Sequence, residues 1–193
     1  PSYGVEHVIP RSEQKQETRS RILASAAEAL RSRGLGASSV GEVMAGAGLT
    51  VGGFYAHFEN KDALMLEALE RVFVERRAQL FGLISPGTPA EQRKQAARAY
   101  LSRKHRDMDE QCCPLPAILS ELPKQPEAFR GLLEKHLQLL LKAMVAGEPD
   151  REAMRPTALA DLATMIGALT LARALGPTPF SDELLAAAKA AIR

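Results

Sequence analysis

Apolar positions along the chain recur mainly at spacings of three and four, the period of a helix with one face turned inward. Ile22, Leu23, Ala26, Ala27 and Leu30 make one such stripe in a helical segment that begins near Ser12, and Gly34 and Gly36 stop it. Ser39-Val40-Gly41-Glu42 has the form of a capping box, in which a serine oxygen takes the amide three residues on and the glutamate reaches back. It predicts a short second helix through Val43 and Met44 to Gly46 or Gly48. Thr50 is placed to cap a third helix over about 51–57, and Asn60 a fourth over about 61–83. Ser85-Pro86-Gly87-Thr88-Pro89 interrupts the pattern. Further helices are predicted over about 90–107, 126–146 and 152–175, with a short element over about 112–123 and a last helix from about Ser181 to the end. On the 126–146 helix Phe129, Leu132, Leu133, His136, Leu137, Leu140 and Met144 share a face that Leu139 and Leu141 widen, which marks a central helix. No internal repeat and no alternating strand pattern appears, so the expected fold class is all-α.

Composition agrees with that pattern. Ala and Leu are abundant, aromatics are 5%, Trp is absent, and β-branched runs are few, a bias toward helix over sheet. A length of 193 residues with 46% hydrophobic and 25% charged residues suits a globular protein with a real core. A net charge of +2 names no partner. No run of 18 apolar residues occurs, so no membrane span is expected, and the first residues lack the apolar centre of a secretory signal. Cys112 and Cys113 are neighbours and cannot build a disulfide framework, which points to a reducing cytoplasm.

Chemistry concentrates in residues 48 to 64, GLTVGGFYAHFENKDAL. Two short helices joined by Ala47-Gly48-Leu49 have the helix-turn-helix arrangement, whose second helix enters the DNA major groove. Leu49, Phe54 and Phe58 suit the inside of a three-helix unit, opposite Val40 and Val43. The other face holds Thr50, Val51, Gly53, Tyr55, Ala56 and His57, small or polar residues that let a backbone approach DNA. Each glycine inside a helix costs about 1 kcal/mol relative to alanine, a cost that suggests a need for clearance. Tyr55 and His57 can donate to phosphate oxygens. Lys61 sits in the first turn of the fourth helix, where the macrodipole disfavours a cation unless a phosphate docks there. Cations and carboxylates balance over residues 1–62, so binding depends on placement: Arg11, Lys15, Arg19 and Arg21 on the arm and first helix, plus the helix starts, among them Ser39.

Leu49-Thr50-Val51-Gly52-Gly53-Phe54-Tyr55-Ala56-His57-Phe58, followed by Lys61 and Leu64, resembles the signature of TetR/AcrR-type transcriptional regulators. Upstream, Thr18, Arg21, Ile22, Ala26, Leu30, Gly34, Ser39, Val43 and Gly48 fit the same pattern, so the resemblance spans roughly residues 15 to 66. It implies an all-helical homodimer with a DNA-binding head and a ligand-binding body, and repression of a palindromic operator relieved by a small-molecule effector. It also implies a dimer interface built from the last two helices. Thr50, Tyr55, His57 and Lys61 would contact phosphates, and Val51, Gly52 and Gly53 would face base edges. The family often has polar residues where this chain has Val51 and Gly53, which leaves contact between Val51 and thymine methyls as the direct readout. The organisation expected is a mobile arm over 1–11, a helix-turn-helix domain over 12–60, and a ligand-binding and dimerisation domain over 61–193.

In the body, Phe73, Tyr100, Cys113, Leu119, Phe129, Leu133, His136 and Met165 are the candidate effector contacts, with His136 able to orient an apolar ligand or simply to be a satisfied core residue. Leu159, Leu162, Ile166, Leu169, Leu184, Leu185 and Ala188 are the candidate dimer residues; two wide apolar helices on a chain this size call for a partner. Cys112 and Cys113 allow a thiol- or electrophile-sensing variant, helped by Lys104, His105 and Arg106 and opposed by Asp107, Asp109 and Glu110, against the alternative of small buried hydrophobes. A helical enzyme using Cys113 or His136 is the remaining alternative, and no Ser/His/Asp set, phosphate loop or metal-ligand spacing supports it. No cofactor and no metal are expected.

Overall fold

The computed structural model describes residues 10–36, 38–107 and 113–192. Residues 1–9 of the expected arm and Cys112 lie outside the described residues. Those described form nine α-helices and two short 3-10 helices and no strand.

The first helix, α1 (Arg11–Arg33), carries the predicted stripe, and Ile22, Ala26 and Leu30 are fully buried. Arg11, expected in the arm, is its first residue. The helix ends at Gly34, whose φ of 83° favours glycine. A Cβ there would also meet Glu121 Oε1 at 2.1 Å and the Ala117 carbonyl at 3.2 Å. Glu121, from the body, accepts hydrogen bonds from the amides of Leu35 and Gly36, so a body carboxylate closes the turn that leaves α1.

Ser39 and Glu42 form the predicted capping box on α2 (Val40–Gly46). Residues Val51–Ala56 then form a 3-10 helix rather than the α-helix expected over 51–57, and Thr50 makes no side-chain cap bond to it. Adjacent Gly52 and Gly53 are poor supports for an α-helix, and the tighter, shorter winding needs fewer residues. Asn60 Oδ1 accepts from Ala63 N–H and starts α3 (Lys61–Gly82) as predicted.

A single helix over 90–107 was expected, and two are found: α4 (Pro89–Tyr100), capped by Thr88 and Glu91, and α5 (Arg103–Asp107). The break follows from the buried Leu101 and from Ser102, whose hydroxyl donates to Ala99 O and accepts from His105 N–H, turning the chain. Helix α6 (Leu115–Ile118) and a 3-10 turn (Leu122–Lys124) lead to α7 (Glu127–Met144). Leu139, assigned to the apolar surface of α7, is exposed. Helices α8 (Arg151–Leu175) and α9 (Pro179–Ala191) form the most extensive helix pair. Thr178 caps α9 by accepting from Ser181 N–H, two residues earlier than expected, and Ser181 itself is fully buried.

Helix α8 is long and apolar enough, by length and composition, to cross a bilayer. Here it packs against α9, α7 and α6. Arg106 ties α5 to the start of α9: it donates to Ser181 Oγ at 2.7 Å and to Asp182 at 2.8 Å, and pairs with Asp107 at 2.6 Å. Its carboxylate partners hold its pKa above the ordinary arginine value. One apolar cluster runs from Ile22, Phe54 and Phe58 through Leu64, Leu69 and Phe73 to Leu115, Met165 and Leu185. The expected boundary after residue 60 therefore falls just before a helix, α3, that is packed into both the head and the body.

Candidate nucleic-acid interface and effector cavity

The head is built so that one short segment is left exposed. Phe54 and Phe58 are buried in the common apolar cluster and stack at 5.9 Å between ring centroids, which fixes the 3-10 helix against α2. Gly48, at φ 68°, makes the turn between α2 and that helix, and Arg21 Nη2 donates to Ala47 O at 2.6 Å, satisfying a carbonyl at the end of α2. The same anchoring turns Val51 and Tyr55 outward, 51% and 76% exposed, with Thr50, Gly52 and Gly53 beside them. Neither glycine is required by the fold: a Cβ on Gly52 would meet nothing within 4 Å, and one on Gly53 only Met44 Cε at 3.9 Å.

Lys61 is half-buried at the first position of α3, and His57, four residues earlier, is half-buried as well. Burial pushes the His57 pKa below its ordinary value, and Lys15 and Arg19 push it the same way, so the ring is neutral at pH 7. Its buried Nδ1 has no hydrogen-bond partner among the described residues. Ser39 is exposed at the start of α2, its oxygen already accepting from Glu42 N–H.

The cations of the head divide into two groups. Arg19 pairs with Glu67 on α3 and lies over the Phe58 ring at 4.5 Å. It therefore staples α1 to α3, and this pairing with a carboxylate and an aromatic ring competes with the expected DNA contact. Arg31 pairs with Glu75 and Arg33 with Glu42. Arg11, Lys15 and Lys61 form no ion pair among the described residues.

A second feature lies in the body. A cavity of about 40 Å³ is enclosed by α3, α4, α6, α7 and α8. Of the expected contacts, Tyr100, Cys113, His136 and Met165 line it. Phe73 does not; it stands behind the wall and stacks flat on His136, 3.9 Å between centroids and 7° between planes. Leu119 and Phe129 pack elsewhere in the core, and Leu133 faces an outer groove between α7 and α8. A helical stripe wide enough to be central points its residues to several neighbours, so sharing a face did not place them in one cavity. Residues missed from sequence are Arg76, Arg77, Leu80 and Phe81 on α3, with Leu115, Leu140 and Met144. The spacing of four between Phe73 and Arg77 is the signal that could have found the arginine.

His105 and His136 are both buried and both held neutral. Burial, chiefly, takes each to about 4. His105 Nδ1 donates to Tyr100 O at 2.6 Å and its Nε2 accepts from Cys113 N–H at 3.1 Å, which fixes the tautomer. Arg77 Nη1 donates to His136 Nδ1 at 2.6 Å. Cys113 is buried, accepts from the Tyr100 hydroxyl at 3.4 Å, and burial raises its pKa, so its thiolate is disfavoured. Among the described residues no group of three or more metal-ligating side chains occurs.

Four of the seven expected dimer residues, Leu162, Leu169, Leu185 and Ala188, are buried inside the chain's own body, and Leu162 also lines the cavity. They are corrected to core residues. Ile166 and Leu184 are half-buried, and Leu159 is exposed. The apolar side chains left outward on α8 and α9 are Leu159, Leu171, Leu175 and Phe180.

Comparison with known proteins agrees with this geometry. Residues 22–68 match the family model described as bacterial regulatory proteins, tetR family. No curated protein matches the chain. Among solved structures, a TetR-family transcriptional regulator from Cytophaga hutchinsonii is 22% identical with a TM-score of 0.76, covering 93% of this chain and 94% of its own. The reduced form of Escherichia coli NemR is 21% identical with a TM-score of 0.77, covering 92% and 95%. A TetR-family regulator from Streptomyces coelicolor is 22% identical with a TM-score of 0.73, covering 92% and 95%. Residues 22–68 therefore match the tetR-family head, and nearly the whole chain has the fold seen in solved TetR-family regulators.

Proposed function

We propose that the chain is a ligand-responsive repressor that binds a palindromic operator as a homodimer in the cytoplasm and is released by a small-molecule effector. In this reading residues 12–60 engage DNA, and 61–193 take the effector and dimerise. The observation that carries it is the course of α3. It begins at Lys61, beside the exposed 51–56 segment, and its later turns line the cavity with Arg76, Arg77, Leu80 and Phe81. Those ends are about 24 Å apart along one unbroken helix. A cavity of about 40 Å³ holds a few waters at most, whereas pockets for drug-sized ligands are about 300–1,000 Å³. An effector must therefore part α3 from α7 and α8, and parting α3 moves Lys61. Release follows if the effector binds the opened state better than the DNA-bound one.

Phosphate contacts fall to Thr50, Tyr55, His57 and Lys61, joined by Arg11 and Lys15, while Val51, Gly52 and Gly53 approach the base edges. A gel shift against the DNA upstream of the chain's own gene tests the reading, and absence of any salt-sensitive, sequence-selective shift would sink it. Lys61→Ala is expected to weaken binding about equally on all sequences and to lower the salt slope by about 1.

The exposed leucines of α8 and α9, with Phe180, form the surface offered to a second copy. Leu171→Glu combined with Phe180→Glu is expected to give a monomer by light scattering at micromolar concentration, with the helical content unchanged. A dimer that survives both substitutions places the interface elsewhere. The buried, protonation-favouring setting of Cys113 gives no support to a thiol-sensing variant through that residue.

A further inference from the structure

The wall of the cavity carries a chemistry that narrows its ligand, an inference that rests on the effector reading above. Arg77 is half-buried there and forms no ion pair among the described residues. Its hydrogen-bond partner is His136, an imidazole without negative charge. The two most buried arginines differ in this respect: Arg93 pairs with Glu148, and Arg106 with Asp107 and Asp182. No aspartate or glutamate lines the cavity, and its remaining surface is largely aliphatic, from Leu140, Met144, Met165 and Ile166. A guanidinium facing an apolar chamber with no carboxylate of its own is set for one brought in by a ligand.

The donors are arranged for it. His136 Nδ1 accepts from Arg77, so the proton of the neutral ring sits on Nε2, and the ring is held flat against Phe73. Arg77 is held on this ring through Nη1, and the Nε and Nη2 edge of its planar fork matches a carboxylate in bidentate geometry. Met144, Met165 and Phe81, around the same space, have the side-chain freedom to admit an apolar body.

We propose that the effector is a small amphipathic carboxylate, its apolar part among the methionines and leucines of α7 and α8 and its carboxylate on Arg77, which His136 holds in place.

Octanoate, octanol and octylamine share an apolar body and differ in head-group charge. Isothermal calorimetry on the whole protein, without DNA, is expected to show octanoate binding at least tenfold more tightly than octanol and octylamine more weakly than either. Arg77→Met should bring octanoate to the octanol level and leave octanol unchanged. Arg77→Lys, which keeps the charge and loses the fork, should retain part of the preference. Melting of each variant checks that it is folded, and the wild-type comparison stands without any variant. Binding of octanol as tight as octanoate, a preference that survives Arg77→Met, or no binding of any of the three overturns the proposal. Octanoate that binds but never alters operator binding leaves this assignment standing and sinks the effector reading. Release by an uncharged compound, with no carboxylate preference, does the reverse.

Discussion

Lowering the pH from 7 to 4 is expected to destabilise the folded chain by several kcal/mol, before the carboxylates contribute. His105 and His136 have pKa values of about 4 in the folded protein, against an ordinary value of 6.5. Above pH 6.5 both folded and unfolded chains hold neutral imidazoles, and the stabilisation is fully present. Between 6.5 and 4 the unfolded chain takes up protons that the folded one refuses, and stability falls. Below 4 both states are protonated and the loss is complete. The gap corresponds to roughly 3 kcal/mol per histidine, and two such losses are large beside a typical total of about 5–15 kcal/mol. His57 shifts in the same direction and adds to the trend. Glu42 and Glu91, whose pKa values are lowered by capping contacts with Ser39 and Thr88, contribute only below their ordinary range near 4.5.

Urea unfolding followed by far-ultraviolet circular dichroism checks this at pH 7, 5.5 and 4, since the chain has no Trp. The midpoint should fall steeply across that window. His136→Gln, which cannot titrate, should remove about half of the slope, whatever it does to stability at pH 7. A midpoint that does not move between pH 7 and 4.5 refutes the neutral-imidazole account. Such a result would mean that water or a counter-charge reaches the rings.

The head was far more legible in the sequence than the body, and for a physical reason. Caps and turns are local: Ser39 with Glu42, Asn60 with Ala63, and Gly34 and Gly48 at positive φ depend on residues within a few positions of one another. The apolar stripe of α1 was equally plain, because a surface helix has only one side to bury. The side chains lining the cavity were not legible in this way. Phe129 and Met165 are both buried apolar residues, and only the packing of five helices puts Met165 at the cavity and Phe129 away from it. Leu162 and Leu185 failed similarly as dimer residues, since periodicity reports that a face is buried without saying whether by the same chain or another. The ion pair of Arg19 was not legible because its partner, Glu67, lies 48 positions away. Glu121, closing the α1 turn from the body, left no local trace for the same reason.

Replacing Gly52 with alanine is expected to stabilise the free protein while weakening its hold on DNA by tenfold or more. The first half follows from the fold alone. A Cβ at Gly52 meets nothing within 4 Å, and the residue has no positive φ. The glycine therefore brings only the entropic cost of a flexible backbone, about 1 kcal/mol in a helical segment. Removing that cost should raise the melting temperature by about 2–4 °C for a chain of this size. The second half follows from position. Gly52 and Gly53 sit between Val51 and Tyr55 on the exposed side of the 3-10 helix, so a methyl there stands between the backbone and whatever the helix approaches. Gly53→Ala should act in the same direction, since the added carbon would meet only Met44 Cε, at an ordinary van der Waals distance of 3.9 Å. Thermal melting and operator titration of the same two variants provide the readouts. If both glycines tolerate alanine with unchanged operator affinity, clearance for DNA is not why they are there, and the segment does not approach the groove as closely as its exposed, small-residue face suggests. Opposite signs in the two measurements separate a residue kept for the partner from one kept for the fold.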